Sequence, residues 1–375
     1  MSKFTRNFFI YCVTNFIWAS VFNLWYSFLP KFYQALGASV LIVGFLFSLE
    51  RFFEGSSNIL GGCLADKFGR KKIIVFGSLI GDISILILFL ATHWIWLIPA
   101  IAFFWITVGI QSPTIATLIS ESISREKRAL AFSVLSILSS IPAIFAVPIG
   151  GWIIEKNGII NGIKFSLLLS FFIGVISTLT YVLFLKETIA KIRRKFKVEW
   201  KIPKEVLCFV ASYGLLMFAV SLVSPFVIFY SQDIIGIGMI DWGIVVSIFT
   251  ILTLVVTFLG GMISDKFGRK KVLLLSFLSS LFPILLILSR NLFHIIIAHI
   301  FASTIFFVSS SVPAYIFEKT KTARAIGIVN FLITIFMVLG YPLGGFLYSL
   351  SPQLPFIVST LIRIIGLIVG VIGVR

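Results

Sequence analysis

Long apolar runs alternate with short polar segments along the whole chain. A helix needs about 20 apolar residues to cross a hydrocarbon core of roughly 30 Å, so runs of that length between charged residues, glycine or proline predict membrane spans. Twelve such spans are predicted, at residues 8–29, 40–62, 73–91, 95–119, 129–154, 163–185, 206–230, 242–262, 272–289, 294–316, 325–348 and 354–373. They are numbered 1 to 12 in this order.

Two copies of one polar segment divide the chain into halves. Residues 66–72 and 265–271 both read Asp-Lys-Phe-Gly-Arg-Lys-Lys, 199 residues apart, and they follow spans 2 and 8. The chain therefore has six spans followed by six more, and corresponding spans cross the membrane in the same direction, as in a parallel repeat. This organisation predicts a first six-helix bundle at 1–185, a polar linker at 186–205 and a second six-helix bundle at 206–375.

The composition agrees with a membrane protein and argues against several other classes. Hydrophobic residues make up 59% of the chain and charged residues 12%, with a mean hydropathy of +1.10, whereas soluble domains are about half apolar and a quarter charged. The net charge of +17 comes from clusters between the apolar runs, so it does not indicate nucleic-acid binding. The basic loops lack the spacing of a nucleotide-binding loop, and the three histidines do not cluster. We expect no enzyme activity, no cofactor and no metal site.

Lysine and arginine fall almost entirely on one side of the predicted spans. Of the 31, 25 lie in the terminal segments or in the loops after even-numbered spans, and only four lie on the opposite side. Because cytoplasmic loops carry an excess of these residues, we predict a multi-pass protein of the cell membrane, surrounded by lipid, with both termini in the cytoplasm. The remaining two, Arg51 and Arg363, fall inside predicted spans.

The segment Gly-Cys-Leu-Ala-Asp-Lys-Phe-Gly-Arg-Lys-Lys, which begins at Gly62, resembles the signature loop of the major facilitator superfamily. The second copy of this loop, the twelve spans and the basic linker extend the resemblance over the whole chain. The resemblance implies an all-α fold with two parallel-repeated six-helix bundles around a central cavity that opens alternately to each side. It also implies a small-molecule substrate and a monomer. The superfamily moves many classes of solute, so the resemblance does not name the substrate.

The repeated loops supply candidate gating residues. In each copy an aspartate at the cytoplasmic end of a helix precedes a tight turn and several cations. Such a carboxylate can bond the amino-terminal amides of a neighbouring helix or pair with the following arginine. If these contacts exist only when the cytoplasmic side is closed, they favour the outward-open state; alternatively, the cations only fix the topology. The candidates are Gly62, Asp66, Gly69, Arg70, Gly261, Asp265, Gly268 and Arg269.

Spans 5 and 11 contain matching proline and glycine residues, in the segments Val-Pro-Ile-Gly-Gly and Tyr-Pro-Leu-Gly-Gly. Proline softens a helix, and glycine permits close helix contact in a membrane. The predicted hinge residues are Pro148, Gly150, Gly151, Pro342, Gly344 and Gly345. Antiporters of the superfamily carry the related pattern Gly-Pro-x-x-Gly-Gly, but the match is partial and does not indicate antiport.

Span 2 carries three charged residues near its middle, Glu50, Arg51 and Glu54. At about 100° per residue they share an arc of about 120° with Ser57 and Asn58. A charge at the bilayer centre costs from about 2.5 kcal/mol upwards, so these side chains must face partners or water. The equivalent residues of the second half are uncharged, so the helical architecture alone does not require the charges.

Two interpretations of these charges remain open. In the first, Arg51 pairs with Glu54, or alternately with Glu50 and with Asp82 of span 3, and one carboxylate exchanges a proton during transport. A variant of this interpretation has Arg51 attract an anionic substrate. In the second, the charges form a structural ion-pair network that locks spans 2 and 3 together.

The resemblance places spans 1, 4, 7 and 10 around the central cavity. It thereby nominates as substrate contacts Asn15, Trp18, Asn23, Tyr26, Gln111, Tyr213, Tyr230 and His299. Drug–proton antiporters of the superfamily often carry an arginine four residues before a glycine in span 4, where this chain has Trp105 before Gly109. Arg363 in span 12 is predicted to be structural or to reach towards the interface.

These features predict a secondary active transporter that works by alternating access and is coupled to protons through Glu50, Glu54 or Asp82. Its resemblance to proton-linked efflux proteins favours the export of small amphipathic compounds. One alternative is the uptake of a small anionic or polar metabolite, with Arg51 as its counter-ion. Another is a membrane receptor or scaffold that keeps the fold without transport, although two intact conformational latches argue against a static protein.

Overall fold

The computed structural model describes residues 3–188, 204–308, 311–320 and 323–373. Within these ranges the chain is almost entirely helical and has no strand, which confirms the predicted all-α class. The α-helices are α1 Lys3–Phe22, α2 Leu29–Ala35, α3 Val40–Phe68, α4 Arg70–Leu90, α5 Leu97–Ser122, α6 Arg128–Asn157, α7 Ile159–Phe184, α8 Lys204–Ser221, α9 Val227–Phe229, α10 Met239–Phe267, α11 Arg269–Ser276, α12 Leu281–Ile287, α13 Leu292–Ser303, α14 Ser311–Thr320, α15 Ala323–Leu350 and α16 Leu354–Gly373. Most of the predicted linker, residues 189–203, and the terminal Arg375 lie outside the described residues.

Nine helical segments of the described ranges are long and apolar enough to cross a membrane, judged by length and composition. They are Arg6–Ala35, Arg70–Leu90, Trp94–Ser122, Leu130–Asn157, Ile159–Phe184, Val206–Ile234, Met239–Phe267, Val329–Leu350 and Leu354–Ile372. Helix α3 has 29 residues but carries the three charges of span 2. Two shorter apolar segments, Lys271–Ile287 and Leu292–Phe307, lie at spans 9 and 10. In its described residues, each of the twelve predicted spans therefore lies mostly on helix, although turns follow α1 and α8 within spans 1 and 7.

Spans 9 and 10 are interrupted, contrary to the continuous helices that their apolar pattern predicts. A 3₁₀ turn at Phe277–Ser280 separates α11 from α12, and another at Thr304–Phe307 follows α13. At the first break, the Ser276 hydroxyl donates to the carbonyl of Leu273 at 2.6 Å. Bonds of this kind compete with the α-helical backbone pattern. Residues 309–310 of span 10 lie outside the described part.

Contacts divide the chain into two units. The first unit comprises Met1–Gly37 and Leu49–Phe196, and the second comprises Ala38–Ser48 and Lys197–Arg375. The beginning of α3 is thus grouped with the second unit, where the Ser48 hydroxyl donates to the Val338 carbonyl at 2.7 Å. The sequence-based bundle boundaries at residues 185 and 206 stay a prediction.

In the first unit, α4 packs against α5 and α7, and α1 packs against α6 and α7. The contact between α3 and α5 depends on Gly109. A Cβ at this position would meet the Ser57 hydroxyl and the Glu54 carbonyl. Because the two helices approach so closely there, the charged turn of α3 lies beside α5.

One close backbone contact occurs in both units. A Cβ on Gly150 of α6 would meet the Leu24 carbonyl, and a Cβ on Gly344 of α15 would meet the Leu222 carbonyl. Both leucines follow the first long helix of their half of the chain, so the internal repeat extends to this contact. Both glycine-bearing helices stay continuous through their prolines. These glycines permit helix packing here, and their hinge role stays a prediction.

The second unit has its core around α8, which packs against α15 and α16. Phe209 and Leu216 of this helix are buried in a cluster with Tyr315, Ile316 and Ile333.

Adjacent glycines of α3 provide a matched test of its contact with α5. A Cβ on Gly61 would meet the Ile110 carbonyl and lie 2.8 Å from Cγ of Pro113, whereas a Cβ on Gly62 has no heavy atom within 4 Å. We expect Gly61→Ala to lower the melting temperature of the purified protein, since overpacking costs about 1–3 kcal/mol. Gly62→Ala should keep or raise it, because alanine favours helix by up to about 1 kcal/mol over glycine. Equal melting temperatures of the two variants would contradict the close contact of α3 with α5 at Gly61.

Candidate functional site

The three charged residues in the middle of α3, Glu50, Arg51 and Glu54, form one cluster in the first unit. Nη1 of Arg51 lies 2.5 Å from Oε2 of Glu54, and Nη2 of Arg51 lies 4.0 Å from Oε2 of Glu50. The hydroxyl of Tyr33, in α2, donates to the other oxygen of Glu50 at 3.1 Å. The Glu50 side chain is fully buried, whereas Arg51 and Glu54 are 23% and 30% exposed. Arg51 is therefore paired most closely with Glu54, and Glu50 is the carboxylate most removed from solvent.

The indole ring of Trp105, in α5, covers this cluster. The guanidinium carbon of Arg51 lies 4.4 Å from the centre of the ring, at a distance typical of a cation–π contact. The ring of Tyr26 lies 6.1 Å from the same indole. At the position in span 4 where related antiporters often have an arginine, this chain therefore has an aromatic ring that contacts an arginine of α3.

The cluster has one acid more than it has bases. Arg51 is the one cation paired with Glu50 and Glu54 in the part of the chain that the structure describes. Oε2 of Glu50 is buried and accepts no hydrogen bond from the described residues. Burial of a net charge in a low-dielectric interior is costly. A single proton on one of the two carboxyl groups would make the cluster neutral.

The second unit has no such cluster at the equivalent positions, which are Phe249, Thr250 and Thr253. The Thr250 hydroxyl donates to the Val246 carbonyl of its own helix at 2.8 Å, and the Thr253 hydroxyl donates to the Thr250 carbonyl. The ring of Phe249 lies 5.6 Å from that of His299. The two halves thus share a backbone but differ in the charge at this turn.

A second polar site is a cavity of about 400 Å³ inside the first unit, lined by residues of α1, α4, α5, α6 and α7. Asp82 of α4 lies in its wall, and the Thr178 hydroxyl donates to Oδ2 of Asp82 at 2.8 Å. Three of the predicted substrate contacts, Asn15, Trp18 and Gln111, line the same cavity. In this structure Asp82 is bonded to Thr178, and its alternate pairing with the arginine of α3 stays a prediction.

The remaining predicted contacts lie elsewhere. The amide of Asn23 donates to the backbone of its own helix. In the second unit, Tyr213 packs against the core around α8, and Tyr230 is 2% exposed. His299 is buried, and its ring contacts three aromatic rings. Within the first unit, the structure thus brings Asn15, Trp18 and Gln111 together at the cavity.

The repeated loops have the same backbone form in both units. Gly69 has φ of 107° and Gly268 has φ of 86°, and a new helix begins directly after each of them. Glycine adopts such angles without the clash that a Cβ would cause. Asp265 is exposed, and the side chain of Arg269 lies outside the described part of the second loop.

Arg70 is the centre of a charge network in the first loop. Its Nη2 lies 2.7 Å from Oδ1 of Asp66 and 3.2 Å from Oε1 of Glu121, in the last turn of α5. Glu187, which follows α7, accepts hydrogen bonds from the backbone N–H groups of Arg70 and Lys71 at 2.9 and 3.2 Å. Asp66 thus pairs with the arginine, whereas a different acid binds the amino terminus of α4.

Sequence reasoning missed several residues of these networks. Glu121 and Glu187 carry a usable signal, because each is an acid at the end of a predicted span on the strongly basic side. Tyr33 carries none, since its partner Glu50 lies 17 residues away in another helix. For Trp105, the sequence indicates only that it stands where related antiporters often have an arginine, and not that it contacts Arg51.

Arg363 of α16 has a structural role. It is 2% exposed, so it does not reach towards an interface. Its Nη1 donates to the Ser279 carbonyl at 2.7 Å, and its Nε donates to the Ser359 hydroxyl at 3.2 Å. Ser279 belongs to the 3₁₀ turn between α11 and α12, so Arg363 bonds a carbonyl at the point where the regular helix is interrupted.

Comparison with known proteins identifies one family over almost the whole chain. The family model described as Major Facilitator Superfamily matches residues 8–241 and 209–374. A multidrug resistance protein MdtH from Photorhabdus laumondii is 31% identical over 128 residues, which cover 34% of this chain and 31% of that protein. A multidrug resistance protein MdtG from Serratia proteamaculans is 24% identical over 286 residues, which cover 72% of this chain and 68% of that protein. The match thus spans about a third of MdtH and two thirds of MdtG.

Solved structures agree at the level of the fold. The nucleoside transporter NupG superposes with a TM-score of 0.78 at 15% identity, covering all of both chains. A bacterial homologue of the human lysosomal transporter Spinster, in an inward-facing and occupied conformation, gives a TM-score of 0.78 at 13% identity, covering 99% of this chain and 96% of that one. The two-bundle transporter fold expected from the resemblance is therefore confirmed.

Proposed function

We propose that this chain, which belongs to the major facilitator superfamily, is a proton-coupled secondary transporter that exports small amphipathic compounds by alternating access. Membership of the family makes it a multi-pass membrane transporter of a small-molecule substrate and not an enzyme. The multidrug resistance relatives support export, at low identity. The cluster of Glu50, Arg51 and Glu54 supports the coupling to protons.

The coupling mechanism follows from the charge of this cluster. Two carboxylates share one guanidinium, and the close pair of Arg51 with Glu54 leaves Glu50 as the excess acid. A proton on Glu50 makes the cluster neutral, and its release restores a net negative charge. A change of one charge in a low-dielectric interior can shift the equilibrium between two conformations of the transporter, provided that the two conformations hydrate or pair the cluster differently.

The same geometry disfavours uptake of an anionic metabolite. The charge of Arg51 is offset by Glu54 at 2.5 Å, and its guanidinium faces the ring of Trp105. Little of its positive charge remains to attract an anionic substrate. A non-transporting receptor has no evident need for a buried cluster with an excess acid.

We further propose that the network around Arg70 closes the cytoplasmic side. Arg70 joins the ends of α3 and α5 through Asp66 and Glu121, and Glu187 joins the end of α7 to the start of α4. These contacts hold four helices of the first unit together at one end. The proposal assigns the equivalent role in the second unit to Asp265. We also propose that the chain is a monomer with two bundles divided near residues 186–205. Both of its termini lie in the cytoplasm.

Coupling is tested by gradient-driven transport of amphipathic dyes in proteoliposomes. Either Glu50→Gln or Glu54→Gln leaves one acid for one base, so no excess carboxyl group remains to exchange a proton. We expect both variants to lose at least tenfold in the transport that an imposed pH gradient drives. Glu155→Gln, which removes an exposed carboxylate at the end of α6, is the matched control and should transport as the wild type does. Wild-type transport that does not depend on the imposed pH gradient would refute the coupling.

The gating proposal is tested at Cys63, an exposed native thiol one turn before Asp66. Asp66→Asn removes one charge partner of Arg70. We therefore expect the cytoplasmic end of α3 to separate more often from α4 and α5, and transport to fall severalfold. A water-soluble thiol reagent applied to the purified protein, with mass spectrometry to assign the modified peptide, should then label Cys63 faster than in the wild type. Undiminished transport with an unchanged labelling rate would exclude the gating role.

A further inference from the structure

We infer that the cavity of the first unit binds an amphipathic monocation, with Asp82 as its counter-charge. This inference rests on the proposed transport function and adds the charge class of the solute. The Asp82 cavity is the space of about 400 Å³ among α1, α4, α5, α6 and α7. This volume is within the range of small-molecule sites, roughly 300–1,000 Å³.

Asp82 is the one ionisable acid or base among the residues that line the cavity, apart from its tyrosines. Lysine, arginine, histidine and glutamate do not contribute to its walls, and no ion pair joins Asp82 to another described residue. The residue Asp82 is only 6% exposed. A buried carboxylate of this kind requires a proton or a cation for neutrality. A cationic solute can supply that charge, whereas an anionic solute would be repelled.

The apolar walls suit the rest of such a solute. The rings of Tyr11, Trp18, Phe104 and Tyr181 line the cavity, and the rings of Tyr11 and Tyr181 are stacked 6.3 Å apart. The faces of aromatic rings attract organic cations and also contact apolar groups. Asn15 adds a polar group that already bonds the Ser139 hydroxyl at 2.7 Å. The lining thus combines one negative charge with several aromatic rings and with uncharged polar side chains.

Gly174 of α7 positions the carboxylate beside an aromatic ring. A Cβ on Gly174 would overlap Oδ1 of Asp82 and come within 3.3 Å of Cζ3 of Trp18. The absence of a side chain at this position therefore lets the carboxylate and the indole lie on the same side of α7. The Thr178 hydroxyl, one turn further, fixes the other oxygen of Asp82 at 2.8 Å. The carboxylate and an aromatic ring therefore lie close together in the cavity wall.

The Asp82 cavity shares no residue with the cluster of α3. Trp105 contacts Arg51, whereas the neighbouring Phe104 lines the cavity. A solute cation and a coupling proton therefore occupy different carboxylates, and they influence each other through the conformational equilibrium of the protein. Binding of the cation should survive loss of the coupling acid, which separates this inference from the proposed coupling.

The test is equilibrium binding of radiolabelled tetraphenylphosphonium to the purified full-length protein in detergent. The binding of tetraphenylborate, which has the same four phenyl rings and the opposite charge, is measured in a separate experiment, because the two ions precipitate each other. We expect phosphonium to bind and borate to bind poorly. Asp82→Asn should weaken phosphonium binding at least tenfold, and Gly174→Ala should weaken it with the carboxylate still present. Glu155→Gln, which removes an exposed carboxylate far from the cavity lining, should bind phosphonium as the wild type does.

Several outcomes overturn the inference. Wild-type affinity in Asp82→Asn would do so, as would equal binding of phosphonium and borate. If Asp82→Asn keeps its affinity but loses gradient-driven transport, the carboxyl group carries the proton and not the solute. If Asp82→Asn does not fold, Gly174→Ala decides the question, since it displaces the carboxylate. Binding that depends on Asp82 without gradient-driven transport would support the inference and refute the coupling.

Discussion

The cost of a charge inside a hydrocarbon core is the constraint on which the structure around α3 depends. Two carboxylates and one guanidinium occupy a single turn of this helix, and each finds a neighbour: Glu54 has Arg51, Arg51 has the Trp105 ring, and Glu50 has the Tyr33 hydroxyl. The helices that carry these neighbours are held close by packing. The excess acid is nevertheless left without a full counter-charge, and this imbalance is what a proton can relieve.

Much of the architecture could be predicted because simple physical limits set it. Bilayer thickness fixes the length of an apolar run, so each of the twelve spans lies mostly on helix in its described residues. A turn that needs a positive φ selects glycine, so Gly69 and Gly268 mark the same turn in both halves. The breaks in spans 9 and 10 were not predicted, because hydropathy gives the length of an apolar run and not the hydrogen-bond pattern of the backbone within it.

The candidate site was predictable only in part. The charges of α3 stand out because intramembrane charge is rare, and their absence from the second half shows that the fold does not need them. Their partners do not stand out, since Tyr33 and Trp105 come from other helices with no periodic relation to Glu50. Asp82 was found as a charge, but its bond to Thr178 and its aromatic surroundings depend on how α4 and α7 pack. The charged residues of the site can be identified from the sequence one by one, whereas their contact partners are known only from the folded structure.

The central claim is that the cluster of α3 holds a transferable proton on Glu50. Infrared difference spectroscopy of the purified full-length protein, recorded between acidic and alkaline pH, observes protonated carboxyl groups directly. The account predicts a protonated-carboxyl signal in the wild type that disappears in Glu50→Gln and persists in Glu155→Gln. A signal that is unchanged in Glu50→Gln would contradict it.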